Sequence, residues 1–176
     1  NVLRNNSVIG IIALGMTLII ITGGIDLSVG SQLAFTGVII IAVFNKTQSI
    51  IITVLAGAAT ALILGLATGI LIARFNIPAF IMTLGSMSIY RSVAQYWLNG
   101  GGLMAKGDRS SVYLSISNTN LFGTIPMPII IWLVAAAVIY IISWHTAVGR
   151  HIYAVGSNEK ATQLASVNVV KVKCFA

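Results

Sequence analysis

Few side chains in this chain could act as catalysts, and their spacing in the sequence does not favour a catalytic pair. The acids and histidines are Asp26, Asp108, Glu159, His145 and His151. Cys174 is the single cysteine, which excludes an internal disulfide and zinc sites built on two or more cysteines. An intramembrane enzyme would need a paired nucleophile and base, two neighbouring acids or a metal site. The sequence indicates no catalytic residue, no metal site and no bound cofactor.

The amino-acid composition indicates whether the chain is surrounded by water or by lipid. Of 176 residues, 57% are hydrophobic and 7% are charged, whereas a soluble domain carries about 25% charged residues. No Gly-x-x-x-x-Gly-Lys-Ser/Thr loop is present, so ATP is not expected to bind here. The net charge is +7, but the basic residues are scattered, which argues against a nucleic-acid partner. Membrane lipid is therefore the expected surrounding of an all-α, polytopic helical bundle.

Runs of about 20 apolar residues, the length that crosses a bilayer, divide the chain into five predicted transmembrane helices. They cover residues 7–25, 27–44, 50–73, 79–98 and 127–144. Residues 1–144 thus form the membrane part, with a long loop at 99–126, and residues 145–176 form a polar tail. Trp97, Tyr113 and Trp132 are candidate interfacial aromatics at the edges of that loop.

Asp26 lies in a glycine-rich stretch, Gly23 to Ser31, between the first two predicted spans. Glycines relieve the backbone for a sharp turn, and a carboxylate there can accept hydrogen bonds from the amides that open the second span. The alternative is a broken helix at membrane depth, where helix ends meet a substrate or a moving partner.

Polar side chains recur at helical spacing on two spans. The second span carries Ser28, Gln32 and Thr36, and the fourth carries Ser88, Arg91, Ser92 and Gln95. Such groups commonly form hydrogen bonds between helices. The alternative interpretation is that Asp26, Ser28, Gln32, Thr36, Ser88, Arg91 and Gln95 line a hydrated path for a polar solute.

Small residues recur every fourth position in the third span, at Gly57, Ala61, Gly65 and Gly69. Helices in lipid gain nothing from the hydrophobic effect against one another and associate where small residues let the backbones approach. This ladder predicts a helix-packing face.

The polar tail contains a second predicted element. Asn158 precedes Glu159 at a helix start, where the helix dipole favours an acid, and residues 158–167 are expected to form a short helix. A helix this short needs a partner to be ordered. It would lie in a groove of another protein or on lipid.

Two motifs carry a family resemblance. Residues Gly24 to Ser31 read Gly-Ile-Asp-Leu-Ser-Val-Gly-Ser, and Gly149 to Ala161 read Gly-Arg-His-Ile-Tyr-Ala-Val-Gly-Ser-Asn-Glu-Lys-Ala. Together with Ile77 to Leu84 and Arg91, they resemble permease subunits of bacterial ABC sugar importers of the ribose, galactose, xylose and autoinducer-2 type. The second motif resembles the cytoplasmic loop that such permeases present to their ATPase. Where the family usually reads Ser-Gly-Ile after it, this chain has Ala165-Ser166-Val167.

The resemblance implies the partners and the orientation. It implies a separate ABC ATPase subunit, a periplasmic sugar-binding protein and a second permease copy in a homodimer, all at a bacterial inner membrane. The tail is then cytoplasmic, the 99–126 loop periplasmic, and the chain a fragment matching roughly the second to sixth spans. The residues that it assigns to the ATPase contact are Gly149, Arg150, Tyr153, Gly156, Ser157, Asn158, Glu159 and Ala161.

Two other functions stay open at this point. A permease of the same superfamily for branched-chain amino acids or nucleosides would share most of these motifs. An intramembrane enzyme is a remote alternative, because no nucleophile, base or metal ligand set stands out. The expected activity is monosaccharide translocation by a subunit without its own ATPase site.

Overall fold

The computed structural model describes residues 2–121 and 125–175. Within that part the chain forms nine helices and one antiparallel pair of two-residue strands. The elements are α1 (Val2–Ile21), α2 (Val29–Thr47), α3 (Ile50–Phe75), α4 (Ala79–Leu98), α5 (Ser110–Asn118), β1 (Asn120–Leu121), β2 (Ile125–Pro126), α6 (Met127–His145), α7 (Ala147–Ser157), α8 (Glu159–Leu164) and α9 (Val169–Phe175).

Among the described residues, three helices, α2, α3 and α6, are long and apolar enough to cross a membrane. In α1 the apolar stretch is shorter, Asn6–Ile21, and α4 has 20 residues but includes Arg91 and several hydroxyl side chains. The predicted all-α membrane bundle is confirmed, with the small β1–β2 pair as an addition. Each of the five predicted spans contains one long helix; that all five cross the bilayer stays a prediction.

The helix ends differ from the predicted ones by a few residues, and left-handed backbone explains much of the difference. Gly23 has φ +80°, and α1 ends just before it, at Ile21. Three later helices are followed by Gln48, Asn76 and Asn99, all with φ near +50°. Asn tolerates this conformation better than most other residues, which suits Asn76 and Asn99 but not Gln48. As a result α2 and α3 run a few residues beyond the predicted ends at 44 and 73.

The interior of the bundle combines apolar side chains with many small hydroxyl side chains, and its outer surface is largely apolar. Its buried side chains include Ser31, Thr53, Thr68, Thr83 and Ser86. Large apolar side chains such as those of α3 project outward; Ile51, Leu62 and Ile63 are each more than 60% exposed. In water this arrangement would be unstable, but in lipid the interior needs only close packing and satisfied polar groups.

Helix pairs meet where one partner carries a small residue. At Gly10 of α1, an added Cβ would lie 2.5 Å from ring atoms of Trp132 on α6. At Gly57 of α3, it would lie 2.7 Å from Ile40 of α2. Trp132 was expected as an interfacial aromatic, and the structure instead places its ring in the α1–α6 contact. Tyr113 packs on Phe44, with ring centroids 4.5 Å apart, whereas Trp97 is exposed.

Candidate functional site

A cleft of about 610 Å³ opens at one end of the bundle. Its wall is formed by α1, the turn that follows it, the start of α2, α3, the start of α4 and the helices α8 and α9. Five charged or amide side chains line it: Asp26, Gln32, Asn76, Glu159 and Lys173. The rest of the wall is mainly Ile, Leu and Gly from α1 and α3. Asp26 and residues of the polar tail therefore line the same cleft.

Asp26 shapes the turn that enters α2. Its Oδ1 accepts hydrogen bonds from the backbone N of Ser28 at 2.7 Å and from Ser28 Oγ at 2.6 Å. Ser28 is the N-cap residue and is fully buried. On the other side of the turn, Thr83 Oγ1 donates to the carbonyl oxygen of Ile25 at 3.2 Å, which attaches the turn to α4. One carboxylate oxygen therefore orders the turn, while the side chain still borders the cleft.

The polar stripe of α2 faces its neighbours. Gln32 borders the cleft, and its Nε2 donates to the carbonyl oxygen of Ala61 on α3 at 3.0 Å. Thr36 is buried, and its hydroxyl has no hydrogen-bond partner among the described residues. Of the three, Gln32 is the one that lines the cleft, and Ser28 and Thr36 lie in the packed interior.

The polar face of α4 lies elsewhere. Ser88, Arg91 and Gln95 are exposed on the outside of the described bundle. Ser88 Oγ bonds back to its own helix at Leu84 O, 3.2 Å away. The structure therefore does not bring these residues together with Asp26 and Gln32. A shared path would require another surface facing α4.

The glycine ladder of α3 contacts two different helices. Gly57 meets Ile40 of α2, and Gly65 lies 3.7 Å from Gln32 Nε2, both measured from an ideal Cβ position. At Gly69 the neighbour is α9, with Cys174 Cα 3.4 Å away. The same ladder thus packs α2 at one end and the tail at the other.

Helix α7 has one buried and one exposed face. Ile152 and Val155 are buried in a small apolar cluster with Leu18 of α1 and Val172 of α9. Two glycines allow this docking: a Cβ at Gly156 would clash with the carbonyl oxygen of Ile21, and one at Gly149 with the carbonyl oxygens of Ile142 and Ser143. Gly149 and Gly156 therefore hold α7 against the bundle.

The other predicted ATPase-contact residues lie on the outside. Exposed side chains include Arg150, Tyr153, Ser157, Asn158, Glu159 and Ala161. Leu164, a large apolar side chain, is 88% exposed at the end of α8. Asn158 caps α8, since its Oδ1 accepts from the backbone N of Ala161 at 3.0 Å. The predicted 158–167 helix is correct at its start but ends at Leu164, and a separate helix, α7, covers most of the motif before it.

Helix α8 ends at Leu164, and the turn that follows it contains no glycine. Ser166, at the position where the resembled family has glycine, adopts a left-handed φ of +63°. A non-glycine residue in that region is under conformational strain. The turn after α8 in this chain is therefore built on a residue that adopts this φ less readily than glycine does.

The tail returns to the bundle through an ion pair and α9. Lys173 Nζ lies 2.7 Å from Glu159 Oε1 and thereby links α9 to the first turn of α8. Beside it, burial raises the pKa of the Cys174 thiol above its ordinary value. No group of three or more metal-ligating side chains occurs among the described residues.

Sequence reasoning missed a clamp at the opposite end of α2. Asn45 donates to Met104 O and accepts from Lys106 N, at 3.0 and 2.7 Å. Gln48 donates to Lys106 O at 2.8 Å and accepts from Arg109 N at 3.3 Å. The available signal was two amide residues at the end of an apolar run, which pattern analysis treats as an ordinary loop.

The sequence matches known membrane permeases over almost its whole length. Residues 1–176 match the family described as branched-chain amino acid transport system / permease component. The ribose import permease protein RbsC of Haemophilus influenzae is 39% identical over 176 residues, covering 99% of this chain and 54% of that protein. The L-arabinose transport system permease protein AraH of Escherichia coli is 37% identical over 169 residues, covering 95% and 50%. An L-arabinose ABC transporter permease protein AraH of Azospirillum brasilense is 32% identical, covering 95% and 48%.

The helical bundle with its docked polar tail has the architecture of a polytopic membrane protein. The chain belongs to the family of the branched-chain amino acid transport system permease component. It spans about half the length of the curated relatives it matches. No solved structure matches it.

Proposed function

We propose that this chain is part of the membrane-spanning permease subunit of an ATP-driven importer that carries a monosaccharide across the bacterial inner membrane. The observation that carries the proposal is the match of almost the whole chain to permeases named for ribose and L-arabinose. The subunit does no chemistry itself, and a separate ABC ATPase hydrolyses the ATP. The sugar relatives favour this function over the carriage of amino acids or nucleosides.

The exposed face of α7 and α8 is the proposed ATPase contact. Arg150, Tyr153, Glu159 and Leu164 are exposed there, while the opposite face of α7 is packed on α1 and α9. A segment with one anchored and one free face can pass a displacement of its partner to the bundle. The cleft beside it, with Asp26 and Gln32 in its wall, is the proposed cytoplasmic end of the sugar path.

The remaining partners follow from the orientation. The clamped loop at the opposite end, with α5, faces the periplasm and is the proposed contact for the sugar-binding protein. The outward Leu and Ile side chains of α3 contact lipid. The exposed polar residues Ser88, Arg91 and Gln95 face a second permease copy or later parts of the subunit, which would complete the path.

Uptake measurements test this function. Inverted or right-side-out vesicles carry the complete permease with its ATPase, ATP on the tail side and the sugar-binding protein on the loop side. Labelled ribose, arabinose, glucose, leucine and uridine are supplied in turn. We expect ATP-dependent accumulation of at least one of the sugars. Accumulation of leucine or uridine without any sugar would contradict the proposal and favour the other members of the superfamily.

A further inference from the structure

Helix α9 is in contact with both the proposed ATPase-contact segment and the bundle. On one side, its Val172 is buried with Ile152 and Val155 of α7. On another side, the backbone of α9 lies on α3, where Cys174 Cα is 3.4 Å from an ideal Cβ position on Gly69. The seven-residue helix α9 thus lies between α7 and α3 and contacts both of them.

An ion pair orients α8 on α9. Lys173 Nζ and Glu159 Oε1 are 2.7 Å apart, with the lysine side chain 24% and the glutamate side chain 49% exposed. Ion pairs this exposed contribute little to stability. Their geometry still matters, because Glu159 is the first residue of α8 and Lys173 lies on the helix that touches α3.

The path continues beyond Gly69 along α3. Toward its other end, α3 packs on α2 at Gly57, and the carbonyl oxygen of Ala61 accepts from Gln32. Close-packed interiors transmit displacement because they deform little. A movement of α9 therefore reaches the helices whose side chains form the wall of the cleft.

We propose that α9 is the element through which the α7–α8 segment moves α3, with Lys173 as its positioning residue and Gly69 as its seat. The inference rests on the proposed function, since the ATPase is what would displace α8. It adds a specific prediction about movement: α9 and α3 move as one body, and the displacement of α8 reaches them in full only while the ion pair is intact.

Charge reversal tests the positioning role. The variants are Lys173→Glu, Glu159→Lys and the double reversal, and the control is Lys171→Glu, the same change on an exposed residue of the same helix. The measured quantity is sugar accumulated per ATP hydrolysed. We expect Lys173→Glu to lower this ratio at least about fivefold, the lower end of typical coupling between sites, while the ATPase rate changes little. Glu159→Lys should lower the ratio as well. Because Glu159 also lies in the proposed ATPase contact, the double reversal should recover only the part of the loss that comes from the ion pair, giving a ratio above that of either single variant, and Lys171→Glu should leave the ratio unchanged.

A disulfide tests the one-body movement. Gly69→Cys places a second thiol on α3 next to the backbone of Cys174, the single native cysteine. Oxidation is carried out at alkaline pH, because burial raises the pKa of the Cys174 thiol and the thiolate is the reactive form. We expect the bond to form and uptake to persist. Gly85→Cys, with nothing within 4 Å of its Cβ position, should not form it.

Different outcomes would refute the proposed sugar transport and the proposed role of α9. Wild-type vesicles without ATP-driven uptake would refute the proposed function, while the disulfide would still report on the α9–α3 contact. If the wild type transports sugar but Lys173→Glu keeps the uptake-to-ATP ratio, α9 is not the positioning element. Failure of the Gly69→Cys disulfide to form, or loss of uptake on oxidation that a reductant reverses, would also overturn the inference.

Discussion

The side chain of Asp26 orders the turn before α2 and also lines the cleft. Its Oδ1 accepts two hydrogen bonds from Ser28, and the side chain borders the cleft. The expected capping role is thus realised in a modified form, because the donor is the N-cap residue Ser28 itself and not the first turn of α2. The structure leaves both alternatives of the sequence analysis in place, and substitution can distinguish them.

Asp26→Asn retains an acceptor oxygen but removes the charge. We expect it to lower sugar uptake while the amount of folded permease stays normal. Asp26→Ala removes the acceptor as well, and should cost about 1 kcal/mol of stability, as loss of a cap does. Uptake and membrane protein level are measured together. Full uptake by Asp26→Asn would mean that the carboxylate acts only on the turn.

Gly156 holds α7 against the end of α1. In Gly156→Ala the new methyl group would meet the carbonyl oxygen of Ile21, which as backbone cannot easily move. We expect a loss of about 1–3 kcal/mol, typical of overpacking, seen as a lower thermal midpoint in detergent. Gly15→Ala is the matched control, since its Cβ position has nothing within 4 Å; an equal loss there would contradict the explanation.

Ser166 offers the opposite test. Its φ of +63° is unfavourable for a residue with a Cβ, so Ser166→Gly should stabilise the tail by about 1 kcal/mol. The measurement is protease resistance of the α8–α9 connection in the intact permease. Ser157→Gly, at the end of α7, is the control and should weaken the helix instead. Unchanged or faster cleavage in Ser166→Gly would contradict the assignment of strain.

At the scale of elements, the loop after α4 is attached to a helix that is distant in sequence. The side chains of Asn45 and Gln48 each donate one hydrogen bond and accept another, and these four bonds hold the segment from Met104 to Arg109 on the end of α2. Gly107 has φ +100°, and a Cβ there would clash with the Gln48 amide. The loop is therefore part of the α2–α3 hairpin in structure, although the chain connects it to α4 and α6.

Removal of either amide should release this loop. Each of Asn45→Ala and Gln48→Ala deletes two hydrogen bonds across the clamp, worth roughly 1–3 kcal/mol together. We expect faster hydrogen exchange at the amides of Lys106 and Arg109. Thr47→Ala, whose hydroxyl bonds within α2 to Val43 O, is the control. Unchanged exchange in the first two variants would show that the clamp does not hold the loop.

At the scale of the whole molecule, helix connectivity places the clamped loop and the polar tail at opposite ends. Ser111 lies on the exposed surface of α5 and Ser157 on that of α7. With Cys174→Ser as background, Ser111→Cys in intact cells should react with a membrane-impermeant thiol reagent, and Ser157→Cys should react only after lysis. The reverse pattern would invert the proposed orientation and move the ATPase contact to the loop.

The sequence by itself determined what depends on local composition. Apolar run lengths predicted where the long helices lie, because a helix in lipid satisfies its own backbone hydrogen bonds. The motifs Gly24 to Ser31 and Gly149 to Ala161 predicted the family that the whole-chain match shows. The glycine ladder indicated close packing on one face of α3, without naming the helices that pack there.

The tertiary structure decided which of these residues meet. It placed Asp26 and Gln32 in the wall of the same cleft as Glu159 and Lys173, and left Ser88, Arg91 and Gln95 outside. Helical spacing reports only which residues share a face, and the direction of that face depends on how each helix is rotated against its neighbours. That rotation is set by contacts between residues far apart in sequence, such as Gly10 with Trp132 and Gly69 with Cys174, and no local pattern contains them.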